Sequence, residues 1–183
     1  MRRLHLLRHA KSVRDETSDD RKRPLNRRGR DASRRIGESL QLKIGKVDLV
    51  LCSSARRTRE TAELVLAGFK PLPRILYEDE LYLASAKTLL RRLQGLDEAE
   101  GSVLAIGHNP GMHKLALALT AKNSPGRAAL ASGKFPTGAR ASFAIHGSWA
   151  SLGRHRHQLV DYVTPKSASR DGHSFAAGDT CDT

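Results

Sequence analysis

The chain has 183 residues, 39% of them hydrophobic, which suits one domain with its own core. No apolar run approaches the ~20 residues of a membrane span. The stretch behind the basic start ends at Leu7, which is shorter than the ~7–15-residue core of a signal peptide. The net charge is +13, yet aromatic residues make up only 4% and are not interleaved with the basic clusters. We therefore expect a cytoplasmic protein that attracts anionic partners, with nucleic acid disfavoured among them.

Strands and helices alternate along most of the chain. The residue patterns predict, in order, a strand at 4–7, a long polar loop at 13–27, a helix at about 28–43 capped by Asn26, a strand at 47–52, a helix opened by Ser53 and Ser54, a short edge strand at 75–77, a helix around 86–93, a buried strand at 102–106, a helix from about 112, and late strands at 141–145 and 158–163. This order predicts an α/β fold of three layers, α/β/α, around a mostly parallel sheet with one antiparallel edge strand. After Pro165 the composition turns polar, so we expect one domain at 1–165 and a disordered tail at 166–183.

Chemically active residues follow three of the predicted strands. Arg8 and His9 follow the first strand, Arg57 lies at the start of the helix after the second, and His108 follows the strand at 102–106. The carboxyl ends of parallel strands lie at one edge of a sheet, where helix N-termini favour anions. We call Arg8, His9, Arg57 and His108 the phosphate cage, because two guanidinium groups and a nucleophilic imidazole suit a phosphoryl group.

The residues after His9 fit the same interpretation. Lys11 and Ser12 add an ammonium group and a hydroxyl group to the predicted anion site. The ordinary alternative for this stretch is a strand end whose charged residues face solvent. The two later junctions favour the anion site.

These motifs resemble those of the histidine phosphatase superfamily, whose fold is phosphoglycerate-mutase-like. The stretch at 6–12, Leu-Leu-Arg-His-Ala-Lys-Ser, resembles the Arg-His-Gly signature with Ala10 in place of glycine. Ser53 with Arg57-Thr58-x-x-Thr61-Ala62 resembles the Ser-x-x-x-Arg-Ala-x-x-Thr-Ala motif, and Gly107-His108 resembles the second histidine. Two further stretches, Arg-Pro-Leu-Asn-x-x-Gly at 23–29 and Glu-Leu-Tyr-x-Ala-Ser at 80–85, are similar to the SixA-type phosphohistidine phosphatase branch.

The resemblance covers about residues 1–165 and implies a role for each matched residue. His9 would attack phosphorus and become phosphohistidine, while Arg8, Arg57 and His108 would hold the equatorial oxygens. It implies no metal and no other cofactor, since cationic side chains take that place. The further residues expected to bind substrate are Lys11, Ser12, Arg23 and Asn109.

The proton donor is the open point of this interpretation. The acid-phosphatase branch has Asp directly after its second histidine, where this chain has Asn109. The mutase branch has a Glu in about the region of Glu80, which makes Glu80 a candidate donor; the alternative is a solvated loop acid. A site without a committed acid should favour phosphoramidates, because imidazole with its reference pKa of ~6.5 is readily protonated before it leaves.

The leading hypothesis is a metal-independent phosphatase that hydrolyses phosphohistidine on a protein through a covalent phosphohistidine intermediate. Two alternatives stay open: a broad small-molecule phosphomonoesterase, and a phosphate-binding module without turnover. The four cage residues argue against the module, because their joint presence is not what a degenerate site would show. The expected partner is a phosphorylated protein or a small phosphate ester, with no membrane contact, and the protein is expected to be a monomer.

Overall fold

The centre of the molecule is a single sheet, seen in a computed structural model that describes residues 1–14 and 19–165. The described strands are β1 (Arg2–Arg8), β2 (Leu49–Ser53), β3 (Arg74–Glu78), β4 (Ser102–Gly107), β5 (Arg140–Ile145) and β6 (Gln158–Val163). Their order across the sheet is β3-β2-β4-β1-β5-β6. The tail predicted at 166–183 lies outside the described residues.

Helices cover both faces of this sheet. The described α-helices are α1 (Arg27–Ile44), α2 (Arg56–Leu66), α3 (Ala86–Gln94), α4 (Gly111–Leu119) and α5 (Arg127–Ala131). On one face α1 and α2 pack on β1, β2 and β4 in a core that includes Leu7 and Ile36. On the other face α3, α4 and α5 bury a second core that includes Leu4, Leu89 and Leu130. The predicted three-layer α/β/α architecture is confirmed.

The sheet is mostly parallel and has one antiparallel strand, as predicted. The neighbours among β1–β4 pair in parallel, while β5 runs antiparallel to both β1 and β6. The antiparallel strand therefore lies one position inside the edge, between β1 and β6. Burial agrees with this placement: every residue of β5 is buried, whereas in the edge strand β6 only Leu159 and Val163 are buried.

Helix starts follow local hydrogen bonding. The Asn26 side chain accepts a hydrogen bond from the Gly29 N–H at 2.9 Å, which confirms it as the cap of α1. The next helix, α2, begins at Arg56 without a side-chain cap, so the prediction that Ser53 and Ser54 open it was wrong. Ser53 is the last residue of β2, and its hydroxyl group binds His108 instead.

Strand register brings the three predicted junctions together. Arg8 of β1 pairs with Gly107 of β4, and the His9 N–H donates to the Gly107 carbonyl at 3.1 Å. Cys52 of β2 pairs with Ile106 of β4, so Ser53 and His108 follow on neighbouring strands. Among the described residues, no helix has the length and apolar composition that a membrane span requires.

Candidate active site

His9 is held in one tautomer by the backbone. Its Nδ1 lies 2.7 Å from the carbonyl oxygen of Ala10, which can only accept, so Nδ1 carries the proton and Nε2 keeps a lone pair. Burial, with Arg57 and Arg8 nearby, lowers the pKa of His9 to about 4. The imidazole is therefore neutral at pH 7, which is the form that can act as a nucleophile.

His108 is also held in one tautomer, by hydrogen bonds to two side chains. An Arg57 guanidinium nitrogen donates to His108 Nδ1 at 3.3 Å, so the ring proton is on Nε2, which donates to Ser53 Oγ at 2.8 Å. Burial and the neighbouring His9 lower the pKa of His108 to about 3. The rings of His9 and His108 lie with their centroids 5.2 Å apart.

Two arginines add fixed positive charge beside these rings. Arg57, at the start of α2, is only 2% exposed. Arg8, at the end of β1, donates to the Phe135 carbonyl at 2.8 Å. Burial and the charge of Arg57 lower the pKa of Arg8. The structure thus brings all four residues of the phosphate cage to one edge of the sheet, where their positive potential suits an anion.

Asp20 already supplies a carboxylate at this position. Arg57 donates to one Asp20 carboxylate oxygen at 2.9 Å and to the Asp20 backbone carbonyl at 2.5 Å. Tyr82 Oη donates to the same carboxylate oxygen at 2.5 Å, and Arg23 bonds to the other at 2.6 Å. The hydrogen bond from Tyr82, followed by those from Arg57 and Arg23, holds the pKa of Asp20 well below its usual range. Arg57, Tyr82 and Arg23 thus already bind the oxygens of one carboxylate beside the cage.

The sequence did not reveal Asp20 and Tyr82 as site residues. Tyr82 packs edge-on against His108 with 5.4 Å between ring centroids. It lies within the Glu-Leu-Tyr motif noted above, which was the available signal for it. Asp20 lies in the polar loop predicted at 13–27, where it is one acid among many charged residues and no periodicity singles it out.

Three of the four expected substrate-binding residues, Ser12, Arg23 and Asn109, are linked to the cage through one or more intervening residues. Arg23 reaches the site through Asp20, and Ser12 Oγ accepts a hydrogen bond from Arg23 at 3.4 Å. Asn109 Nδ2 donates at 2.8 Å to the Phe135 carbonyl, the same oxygen that Arg8 binds. Asn109 and Arg8 therefore bind the same backbone carbonyl oxygen.

Lys11 and Glu80 lie outside the phosphate cage. Lys11 is exposed and lines a groove along α1. Glu80 is exposed on the short 3-10 turn at 79–81 and lines a shallow groove with residues of α3. It makes no hydrogen bond or ion pair with a cage residue, because the buried Leu81 anchors this turn and leaves Glu80 facing outward. The structure gives no support to Glu80 as the proton donor.

The described residues of the candidate site, Asp20 included, do not form a group suited to metal chelation. Within the described ranges, no three His, Cys, Asp or Glu side chains are placed to hold one metal ion. What the arrangement can do chemically follows from its charges: it can bind an anion with several oxygens and present His9 Nε2 to it.

Comparison with known proteins gives related sequences over most of the chain. Residues 4–82 match the histidine phosphatase superfamily (branch 1). An uncharacterized protein of Mycobacterium tuberculosis is 34% identical over 163 residues, which cover 87% of this chain and 100% of that protein. An uncharacterized protein of Mycobacterium leprae is 32% identical over 166 residues, with the same two shares.

Solved structures match the whole fold. A protein from Nakamurella multipartitia, named for the phosphohistidine phosphatase SixA, has a TM-score of 0.79 and 27% identity, covering 90% of this chain and 96% of that one. The protein histidine phosphatase SixA in complex with tungstate has a TM-score of 0.73 and 26% identity, covering 90% of this chain and 97% of that one. The resemblance inferred from the motifs is confirmed.

Proposed function

Because the chain belongs to the histidine phosphatase superfamily, we propose that it hydrolyses phosphohistidine on a protein through a covalent intermediate on His9. The observation that carries this proposal is the state of His9: its Nδ1 proton is bound to the Ala10 carbonyl, so the Nε2 lone pair is left for phosphorus. The similarity to structures named for the phosphohistidine phosphatase SixA supports the choice of substrate.

The first step forms a bond between His9 Nε2 and phosphorus as the bond from phosphorus to the substrate imidazole breaks. The leaving imidazole takes up one proton from solvent. Arg8 and Arg57 hold the equatorial oxygens, and the phosphoryl dianion replaces the Asp20 carboxylate at Arg57. The dianion also raises the pKa of His108, which takes up a proton from solvent at Nδ1, donates a hydrogen bond through it to an equatorial oxygen, and returns the proton to solvent when phosphate leaves.

The second step is hydrolysis of the phosphoenzyme. Water attacks phosphorus, the bond to His9 Nε2 breaks, and inorganic phosphate leaves as the water gives up one proton. His9 returns to its neutral form, which its low pKa of about 4 favours at pH 7. Each turnover therefore consumes one water molecule and needs no other reactant.

Substrate preference follows from the acids around the cage. An alkoxide needs an acid to leave, whereas imidazole with a reference pKa of ~6.5 is easily protonated near neutral pH. The lowered pKa of Asp20 keeps it ionised, and Glu80 faces away from the cage. Phosphoramidates are therefore favoured over alkyl phosphates.

The experiment is to trap the phosphoenzyme with a labelled phosphohistidine substrate and map the label. We expect it on His9, and His9→Ala should abolish both labelling and turnover. Arg57→Ala and His108→Ala should keep traces of activity, about 10²–10³-fold below wild type, because they remove charge stabilisation only. The exposed His146→Ala serves as the control. Label on His108 would overturn the assignment, and loss of turnover in EDTA would contradict a metal-free reaction.

A further inference from the structure

Four exposed cationic side chains line a groove beside the phosphate cage: Lys11, Arg28, Arg35 and Lys134. We call it the basic groove. Within residues 1–14 and 19–165, none of these four side chains forms an ion pair or a side-chain hydrogen bond. The acid in the groove, Asp31, is bonded to Arg34 at 3.3 Å, so it offsets little of this charge.

The walls of the basic groove continue the segments that build the cage. One wall includes Lys11, two residues after His9. The other wall includes the loop at 134–137, and the next residue, Gly138, donates its N–H to the carbonyls of Arg8 and His9 at 3.1 and 3.0 Å. The basic groove therefore adjoins the backbone of Arg8 and His9.

The size of the basic groove indicates a large ligand. Its volume is about 1010 Å³, at the upper end of the ~300–1,000 Å³ typical of small-molecule sites. A phosphoryl group engages the cage alone, so the groove contacts whatever surrounds that group. Its four unpaired cations complement a segment rich in Asp and Glu, and such complementarity acts mainly on encounter and specificity.

The aromatic content of the groove favours protein over nucleic acid. Binding of single strands uses aromatic faces on which bases stack. The ring that lines the groove, Tyr162, is already stacked on Phe135 with 5.9 Å between centroids. One of its faces is therefore taken by the core.

We propose that the basic groove binds an acidic protein segment that flanks the phosphorylated histidine of the substrate. This inference rests on the proposed function, and it deepens that function by assigning the chemistry of the substrate surface. Binding of the acidic segment brings the phosphohistidine to the cage, whereas free phosphohistidine gains nothing from the groove.

The test uses two synthetic peptides of equal length, each with one phosphohistidine, flanked by Glu in one and by Lys in the other. We expect wild-type kcat/KM to be about tenfold higher for the Glu peptide, with the difference shrinking as salt is added. The double variant Arg28→Glu/Arg35→Glu should reverse this preference through KM. Its rate on free phosphohistidine should stay within about twofold of wild type, since neither arginine touches the cage.

A matched control makes the same change of charge elsewhere. Lys122 and Arg154 are exposed cations in loops outside the groove lining, and Lys122 follows the C-terminal end of α4. Lys122→Glu/Arg154→Glu should keep the wild-type preference between the peptides. Equal losses on both peptides and on free phosphohistidine in Arg28→Glu/Arg35→Glu would overturn the proposal, because they would indicate damage to the cage.

Binding of the unphosphorylated peptides separates this proposal from the proposed function. Tighter binding of the Glu peptide to wild type, lost in Arg28→Glu/Arg35→Glu, supports the groove even if no phosphohistidine is hydrolysed. Equal binding of both peptides overturns it even if phosphohistidine is hydrolysed. Equal peptide binding together with an oligonucleotide affinity that the double variant loses would make the partner a nucleic acid. If the protein binds the Glu peptide more tightly than the Lys peptide only after Asp171, Asp179 and Asp182 are changed to Asn, the occupant of the groove is the chain's own C-terminal segment.

Discussion

At the residue scale, Asp20 is bound to Arg57, a donor that we propose for the substrate phosphoryl group. Arg57, Arg23 and Tyr82 all bind the Asp20 carboxylate in the structure. A carboxylate bound by guanidinium groups is a close counterpart of a phosphoryl group with its equatorial oxygens. Under the proposed function Asp20 would compete with the substrate for Arg57, the buried arginine that it pairs with in the structure.

Asp20→Asn should tighten binding of inorganic phosphate. The change removes one negative charge next to the anion position, but the Asp20 side chain is 45% exposed, so solvent screens much of the effect. We expect the inhibition constant of inorganic phosphate to fall about tenfold or less. The neighbouring Asp19→Asn, which also removes a carboxylate from this loop, is the matched control. An unchanged constant in Asp20→Asn would show that Asp20 and phosphate do not share a position.

Glu80→Gln should leave phosphohistidine hydrolysis within about twofold of wild type, since an exposed side chain outside the cage has little influence on the reaction. Wild type should also cleave an aryl phosphate faster than an alkyl phosphate, because among the described acids Asp20 stays ionised and Glu80 faces away from the cage. The rates of wild type and Glu80→Gln on phosphohistidine, an aryl phosphate and an alkyl phosphate test both expectations. Efficient alkyl ester cleavage that Glu80→Gln loses would instead identify Glu80 as the donor and a general phosphomonoesterase as the function.

The sequence predicted the cage better than its surroundings. Arg8 ends β1, and His9 and His108 directly follow β1 and β4, so their position at one sheet edge could be inferred from strand patterns alone. Asp20 and Tyr82 reach the site through a loop and a 3-10 turn, whose course depends on tertiary contacts rather than on residue spacing. Their roles, like those of the cage residues, remain predictions for the experiments above.

At the scale of elements, the close approach of α1 to the segment after β1 requires glycine. A Cβ atom at Gly29 would lie 2.1 Å from the carbonyl oxygen of Lys11, which is backbone and cannot rotate away. That carbonyl also accepts a hydrogen bond from the Asn26 N–H at 3.0 Å. Gly29 thus fixes the start of α1 against the segment that continues from His9.

Gly29→Ala should lower the free energy of unfolding by about 2–4 kcal/mol, because α1 must shift away from this segment. The rate of phosphohistidine hydrolysis should fall as well, since the shift moves the residues next to His9. Chemical denaturation and kinetics measure the two effects. Gly133→Ala is the control, since its nearest neighbour would lie 3.7 Å from the added carbon; equal stability of both variants would contradict the close approach.

Element positions were predictable where hydrophobic periodicity is strong. The Asn26 cap and the buried strand β4 were placed correctly from the sequence. The short helix α5 was missed, because five residues at 127–131 are too few to show a helical period. The internal place of β5 was missed because strand order depends on pairing between distant segments, which residue spacing does not encode.

At the scale of the whole molecule, buried neutral histidines link stability to pH. His5 is 1% exposed, and burial together with Arg140 and Arg3 lowers its pKa to about 3. Burial likewise lowers the pKa of His9 to about 4 and that of His108 to about 3. In the unfolded chain histidine titrates near ~6.5, so between pH 6.5 and about 4 the unfolded state binds more protons.

The free energy of unfolding should therefore fall as the pH falls below 6.5, by roughly 2 kcal/mol at pH 5 for each of these histidines. Denaturation curves at several pH values between 7.5 and 5 measure this. His5→Gln should make the dependence shallower by about one proton, whereas His146→Gln, at an exposed position, should leave it as in wild type. If the free energy of unfolding depended on pH equally in wild type and in His5→Gln, His5 would bind protons equally in the folded and the unfolded state.

The central position of β1 has a consequence for biosynthesis. Arg3 pairs with Ser102 of β4 and Arg2 pairs with Ile145 of β5, so both partners of β1 are translated about 100 residues or more after it. At ~5–20 residues per second, a ribosome needs roughly 5–20 s to add 100 residues. During that time Leu4 and Leu6 on the nascent chain lack the part of their core that β4 and β5 supply. His108 is translated only after β4, and the Phe135 carbonyl that binds Arg8 follows later still. A nascent chain that ends before Phe135 therefore lacks part of the candidate site.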